Sequence, residues 1–245
     1  MDSSETEKNT QQEKESKWVV FLELTVFWLI ILVIIRVVVM MQDALGLPEY
    51  ILGVVPLLFI YGPVLLCNIR GVDSWSYPLS IPAFRDIDSW RDAFWECMKL
   101  NLVIWPPFLI FYHFWNSILF SKFFIGTLPE ELLLTILYQL FFVAIPEEFF
   151  YRGYFQTRLN EVYPKKWTIF GTKMGSSTIY TGIFFAFGHS IVTFQWWHFS
   201  IFFPSLLFSY LREKTDGILS AAMFHASCNI GIVVLDTMYG IRSPI

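Results

Sequence analysis

Long hydrophobic runs, separated by short polar connections, cover most of the chain after residue 17. The charged residues of the first run, residues 18–41, are Glu23 near one end and Arg36 near the other, where long side chains can reach toward lipid headgroups. Further runs follow at about residues 50–69, 98–120, 129–146, 176–193, 196–211 and 217–239. Most are close to the roughly 20 residues that a membrane-spanning helix needs. The pattern therefore predicts an all-α, polytopic bundle of about seven transmembrane helices.

The basic residues of the connections fall into alternate loops, which predicts the orientation of the bundle. Cytoplasmic loops are enriched in Lys and Arg, so the loops rich in these residues are assigned to the cytoplasm. Only Lys122 and Arg242 lie on the other side. This arrangement predicts a cytoplasmic N-terminus and an external C-terminus. The residues assigned to the cytoplasmic side are Lys8, Lys14, Lys17, Arg70, Arg85, Arg91, Arg158, Lys165, Lys166, Lys173, Arg212 and Lys214.

Composition agrees with a membrane setting, since 55% of the residues are hydrophobic, 19% are aromatic and 16% are charged. We interpret residues 1–17 as a disordered polar tail and residues 18–245 as a single transmembrane domain, because no linker or repeat divides it. The connection 160–173 is basic and is predicted to face anionic lipid. The net charge of -4 disfavours a nucleic-acid partner.

Two adjacent acids follow Pro146, which is interpreted as a helix start or a kink. Glu148 and Arg152 are four residues apart with the acid first, the favourable order for a helical ion pair, so Arg152 is predicted to neutralise Glu148. Glu147 then projects about 100° away, by helical periodicity, and is a candidate general base. The structural alternative is an acid-rich helix start at a membrane edge.

Two further runs each carry a polar pair four residues apart. In the first, Phe185 precedes His189, and in the second His225 precedes Asn229. The second pair can donate two hydrogen bonds to one oxygen, as the oxyanion of a peptide-bond hydrolysis requires. Considered alone, His189 is better explained as a hydrogen-bonded core residue than as a catalyst. The second pair, considered alone, is explained equally well as a polar clamp between helices.

Together these motifs, at residues 147–152, 185–189 and 225–229, resemble those of the CPBP family of intramembrane proteases, also called the CAAX protease or Abi family. The family motifs are Glu-Glu-x-x-x-Arg, Phe-x-x-x-His and His-x-x-x-Asn, and they occur here in order, within residues 129–239. The resemblance implies a glutamate-type endopeptidase. The implied catalytic residues are Glu147 and His189, which activate water, and His225 and Asn229, which stabilise the oxyanion; the implied supporting residues are Glu148, Arg152 and Phe185.

The resemblance also implies a membrane-associated protein or peptide as the substrate. In a eukaryotic host the substrates would be prenylated C-terminal CAAX tails. In a bacterial host they would be bacteriocin precursors or C-terminal sorting segments, and the protein would lie in the cell membrane. The sequence does not choose between them, and it does not set the oligomeric state.

Three alternatives stay open at the level of the sequence. A metal could be held by Glu147, Glu148, His189 and His225. We favour a mechanism with no metal or other cofactor, because Arg152 already neutralises the charge of Glu148. In addition, Asn229 is a poor metal ligand but a good hydrogen-bond donor. The protein could instead be a non-catalytic immunity factor or scaffold that keeps the polar cluster for stability. A proton-coupled transporter is a weaker alternative, since the two halves of the chain show no repeated helix pattern.

Overall fold

Seven long helices form the fold within residues 16–73 and 86–241, the parts of the chain that the computed structural model describes. Short 3-10 turns, Glu49–Gly53 and Trp196–Ile201, lead into the second and sixth helices, and a π-helical turn, Trp115–Leu119, continues the third. The helices are α1 (Lys17–Leu45), α2 (Val54–Ile69), α3 (Ile87–Phe114), α4 (Leu132–Val162), α5 (Ser176–Thr193), α6 (Phe202–Thr215) and α7 (Leu219–Met238).

The predicted all-α fold class is confirmed. Five helical segments of the described chain are long and apolar enough to cross a membrane; they comprise α1, α2, α3, α4 and α7 with their flanking turns. The total of seven spans and the cytoplasmic N-terminus stay predictions. Of the predicted polar tail, residues 1–15 lie outside the described residues, and α1 begins at Lys17.

Helix α4 is longer than its hydrophobic run indicated. The helix has 31 residues in total and continues through Pro146, and Glu147 is its sixteenth residue. Of the two expectations for Pro146, a helix start and a kink, the helix start is wrong. Hydropathy falls after Pro146 because Arg152 and Gln156 are polar, yet both side chains are fully buried in the protein. Wide π-helical segments, Gln139–Ala144 and Phe149–Gln156, flank Pro146, and such irregular turns accommodate a residue that lacks an N–H.

A β-hairpin occupies part of the basic connection 160–173, which the sequence indicated only as polar. Strands β1 (Lys165–Ile169) and β2 (Thr172–Gly175) pair in antiparallel fashion. The hairpin lies at the end of the bundle where α4 ends and α5 begins, and β2 packs against α6.

Helix α4 is the centre of the bundle and packs against α1, α2, α5, α6 and α7. Four aromatic side chains from two turns of α4 are completely or almost completely buried: Phe150, Tyr151, Tyr154 and Phe155. A helical segment buried around its circumference must be surrounded by other helices, so the polar groups of this segment of α4 face protein and not lipid.

Helices α3 and α7 are in tight contact at Gly231. A Cβ atom at Gly231 would lie 1.9 Å from Cη2 of Trp105. The indole has little freedom to move, because its Nε1 donates a hydrogen bond of 2.7 Å to Asn101 Oδ1. Small residues at helix contacts let backbones approach closely, and Gly231 has this role here.

We therefore expect Gly231→Ala to destabilise the fold by about 1–3 kcal/mol through overpacking. The measurement is the thermal unfolding midpoint of purified protein in detergent. The matched control is Gly53→Ala, since Gly53 has a φ of -58° and a Cβ atom added there would meet no other atom within 4 Å. Equal midpoints for the two variants would contradict the proposed contact.

Candidate active site

Helices α4, α5 and α7 bring the three polar motifs to one place inside the bundle. Glu147 and Glu148 come from the middle of α4, His189 from the last turn and a half of α5, and His225 from the second turn of α7. These four side chains form the acid–imidazole cluster. The resemblance implied that residues of these three motifs act together, and the structure brings the four side chains together.

A buried ion pair forms the base of the cluster. Arg152 Nη1 donates a hydrogen bond of 3.0 Å to Glu148 Oε1, and neither side chain is exposed. This is the pairing that the spacing predicts. The other terminal nitrogen of Arg152 donates to the backbone carbonyl of Ser205 at 3.0 Å and to its hydroxyl, so the guanidinium also ties α4 to α6. The two charges therefore neutralise each other at a place that solvent does not reach.

Aromatic rings enclose the guanidinium of Arg152. Its central carbon lies 4.5 Å from the ring centroid of Phe185 and 5.0 Å from that of Phe208. Such rings attract a cation through their electron-rich faces, especially when water is excluded. Phe185, the aromatic residue of the second motif, thus helps hold Arg152 in place.

The same carboxylate orients His225. Its Nδ1 lies 2.9 Å from Glu148 Oε1, and because a carboxylate oxygen accepts, Nδ1 carries the proton and donates. The imidazole also stacks on Phe208, with ring centroids 4.7 Å apart and an interplanar angle of 13°. In the neutral ring the lone pair is then on Nε2, which lies 4.0 Å from Glu147 Oε2.

His189 is oriented by its own helix. Its Nδ1 lies 3.0 Å from the backbone carbonyl oxygen of Phe185, which can only accept, so Nδ1 again carries the proton. The lone pair of the neutral ring is on Nε2, 3.7 Å from Glu147 Oε2. Both imidazoles therefore present the same atom to the same carboxylate oxygen.

Glu147 differs from Glu148 in having no direct partner. Its Oε2 accepts no hydrogen bond from the described residues, and its side chain is 14% exposed, next to a His189 side chain that is 29% exposed. Separations of 3.7 and 4.0 Å are too long for direct hydrogen bonds. They suit one water molecule, which would lie about 2.8 Å from the carboxylate oxygen and from an imidazole nitrogen.

Asn229 lies one turn beyond His225 on α7 and contacts a residue that the motifs did not identify. Its Nδ2 donates a hydrogen bond of 2.9 Å to Gln139 Oε1 of α4. Both side chains are partly buried. The available signal was an amide within the apolar sequence Leu137-Tyr138-Gln139-Leu140-Phe141, since a polar residue inside a membrane helix requires a partner.

The cluster does not fit a resident metal ion. Glu148 Oε1 is already bonded to Arg152 and His225, and its Oε2 accepts no hydrogen bond from the described residues. The potential ligand atoms that face one another closely are Glu147 Oε2 and the two Nε2 atoms. A tetrahedral metal with bonds of about 2.0–2.1 Å would hold such atoms about 3.3–3.4 Å apart. The observed separations of 3.7 and 4.0 Å are wider, and the described residues contain no group of three or more His, Cys, Asp or Glu with suitable geometry.

The fold and the cluster define an integral membrane protein with an acid–imidazole site buried among its helices. Residues 129–231 match the family model of type II CAAX prenyl endopeptidases, Rce1-like. This match contains all three motifs and, over this part of the chain, agrees with the resemblance to the CAAX protease family that they indicated. It supports an intramembrane endopeptidase activity in general terms. No curated protein and no solved structure matches the chain.

We expect Arg152→Met to destabilise the fold by about 3–5 kcal/mol, because the Glu148 charge would stay buried without its partner. The measurement is again thermal unfolding in detergent. Glu147→Gln is the matched control, since it neutralises a carboxylate that accepts no direct bond, and its midpoint should stay close to that of the unmodified protein.

A second variant separates charge from packing. In Glu148→Gln combined with Arg152→Met, the amide oxygen at position 148 can still accept from His225 and neither charge of the ion pair remains. This double variant should be more stable than Arg152→Met alone. Equal loss in both would show that the ion pair is not what Arg152 contributes.

Proposed function

We propose that the protein is a glutamate-type intramembrane endopeptidase that cleaves a peptide bond near the membrane-associated end of its substrate. The observation that supports this most directly is the position of Glu147 Oε2, which faces Nε2 of both His189 and His225 at 3.7 and 4.0 Å. A carboxylate and an imidazole that share one water molecule are the groups that peptide hydrolysis needs for general base catalysis.

In the proposed reaction Glu147 takes a proton from water while the water oxygen bonds to the carbonyl carbon of the substrate. His189 Nε2 accepts the second hydrogen bond of the water and holds its lone pair toward the carbonyl. The carbonyl π electrons move to the oxygen, which becomes an oxyanion. When the oxyanion collapses, the C–N bond breaks and Glu147 returns its proton to the leaving amine.

The oxyanion is proposed to be stabilised by His225 and Asn229. Since Nδ1 of His225 donates to Glu148 at 2.9 Å, Nε2 donates to the oxyanion in the imidazolium form of the ring. Asn229 uses one of its two amide hydrogens for Gln139 and keeps the other for the substrate oxygen. One preorganised donor of this kind typically contributes about 10²–10³ in rate.

The proposed substrate is a protein or peptide held at the membrane by a lipid group or a hydrophobic segment. A polar site enclosed by helices is more readily reached by a chain that is already concentrated in the bilayer than by a soluble peptide. The name of the matching family points to a prenylated C-terminal tail as the first substrate to test.

We expect Glu147→Gln to lower the cleavage rate by about 10²–10⁴, because the amide keeps the shape of the side chain and cannot act as a base. The assay incubates purified protein in lipid with a prenylated, membrane-anchored peptide, and mass spectrometry locates the cut. Glu131→Gln is the matched control, since Glu131 is an exposed carboxylate at the start of the same helix. It should cleave at the unmodified rate.

The same assay distinguishes the alternatives. Cleavage that continues in a correctly folded Glu147→Gln variant would overturn the proposed mechanism. No cleavage of any anchored peptide by the unmodified protein would favour the scaffold. Proton uptake without cleavage would favour the transporter.

A double-mutant cycle tests the contact between Gln139 and Asn229. Gln139→Met removes the acceptor and leaves the amide of Asn229 free to turn, so kcat should fall about ten-fold, in proportion to one hydrogen bond, with little change in KM. Asn229→Ala should cost about 10²–10³. In the double variant Gln139→Met should cause no further loss. If the loss of kcat in the double variant equals the product of the losses in the two single variants, Gln139 does not act through Asn229.

A further inference from the structure

The β-hairpin is attached to the bundle at its base by buried polar groups. Lys165 Nζ lies 2.5 Å from Glu213 Oε2, and the Glu213 side chain is only 1% exposed. Gln156 and Asn160 of α4 donate to the other oxygen of Glu213 at 2.7 and 2.8 Å. The base of the hairpin is therefore fixed to α4 and α6.

The tip of the hairpin points back along α6 toward the middle of the bundle. The ring of Phe170 meets that of Tyr210, with centroids 6.5 Å apart. Tyr210 precedes Glu213 by three residues, which is about 4.5 Å along a helix, in the direction of the buried contact between Ser205 and Arg152. The tip thus lies deeper along the bundle axis than the base.

The turn at the tip holds an aromatic residue in a conformation that costs free energy. Phe170 has a φ of 46° and Gly171 a φ of 78°, the left-handed region that two-residue hairpin turns require. Asn or Gly normally takes the first of these positions, because a larger side chain is strained there. The strained side chain is nevertheless 88% exposed, so it is not held there by packing in a core.

The depth of the tip corresponds to the border between headgroups and acyl chains. The side chain of Tyr210 lies near that of Lys99 of α3, which is 66% exposed. One turn earlier Trp95 is also exposed. Exposed Lys and Trp side chains at the start of a hydrophobic run mark the membrane interface.

Charged and apolar side chains are both exposed on the hairpin. Trp167 and Ile169 are 44% and 43% exposed, close to the tip. Lys166 and Lys173 are exposed as well, and in the described part of the chain neither forms an ion pair. An apolar tip flanked by amines is complementary to the acyl boundary and the phosphate groups of an anionic lipid surface.

We propose that the hairpin Lys165–Gly175 is a lipid-binding element, in which Phe170 inserts at the border between headgroups and acyl chains while Lys166 and Lys173 contact the phosphates of anionic phospholipid. The proposal does not depend on the proposed protease activity. It also does not depend on which side of the membrane the hairpin faces.

The first test measures lipid preference by native mass spectrometry of protein released from mixed phosphatidylglycerol and phosphatidylcholine bilayers. Lys166→Gln combined with Lys173→Gln should lower the preference for phosphatidylglycerol about ten-fold, since each amine near an anionic surface contributes a several-fold factor. The control is Lys122→Gln, a lysine of the opposite end of the bundle, which should keep the preference. An unchanged preference in the double variant would overturn the proposal.

Two further measurements identify the ligand of the hairpin and the depth of its tip in the bilayer. Excess inorganic phosphate should leave the preference unchanged, and displacement of the lipid by phosphate would indicate an ion site in place of a bilayer contact. A polarity-sensitive fluorophore on Phe170→Cys should be quenched by lipids with brominated acyl chains. The remaining cysteines are buried or half-buried, and an otherwise identical protein without the new cysteine corrects for any label they take. A fluorophore that stays fully hydrated would overturn the proposed insertion.

Discussion

The buried ion pair between Glu148 and Arg152 is the interaction on which the rest of the site depends. Glu148 is a hydrogen-bond acceptor for two residues at once, since Arg152 and His225 both donate to its Oε1. Arg152 in turn bonds the backbone of Ser205 and so joins α4 to α6. Three helices are therefore held by one carboxylate and one guanidinium. Because burial of an unpaired charge is so unfavourable, the pair also restricts the bundle to arrangements in which these helices meet.

Two adjacent carboxylates consequently have different roles. Helical geometry turns Glu148 into the protein, where it is fully buried, and turns Glu147 toward a partly exposed space between the imidazoles. The same contacts decide which nitrogen of each imidazole is free. Glu148 occupies Nδ1 of His225, and the carbonyl of Phe185 occupies Nδ1 of His189, so each Nε2 faces Glu147. The groups around Glu147 are thus oriented before any substrate arrives, which is the condition for efficient electrostatic catalysis.

The sequence was informative where polar residues interrupt apolar runs, since burial gives each of them a structural or chemical role. The three motifs and the helices that carry them could be predicted for this reason. The true length of α4 could not, because hydropathy adds up residues without regard to direction and scores the inward-facing Arg152 and Gln156 as if they faced lipid. Gln139 was missed because its role depends on a contact with a residue 90 positions away. The hairpin was missed because its strands are short and surrounded by charged residues.

Differences in helix length place the site within reach of water. On the side of Leu132, α4 extends fifteen residues beyond Glu147, about 22 Å. On that side α5 extends only four residues, about 6 Å, beyond His189. Arg36, in the interior of α1, donates to the carbonyl of Val192 near the end of α5, and α1 continues for nine more residues. The connection between α5 and α6 therefore lies well inside the length of its neighbours. The partial exposure of Glu147 and His189 follows from this short side, whereas His225, on the longer α7, is buried.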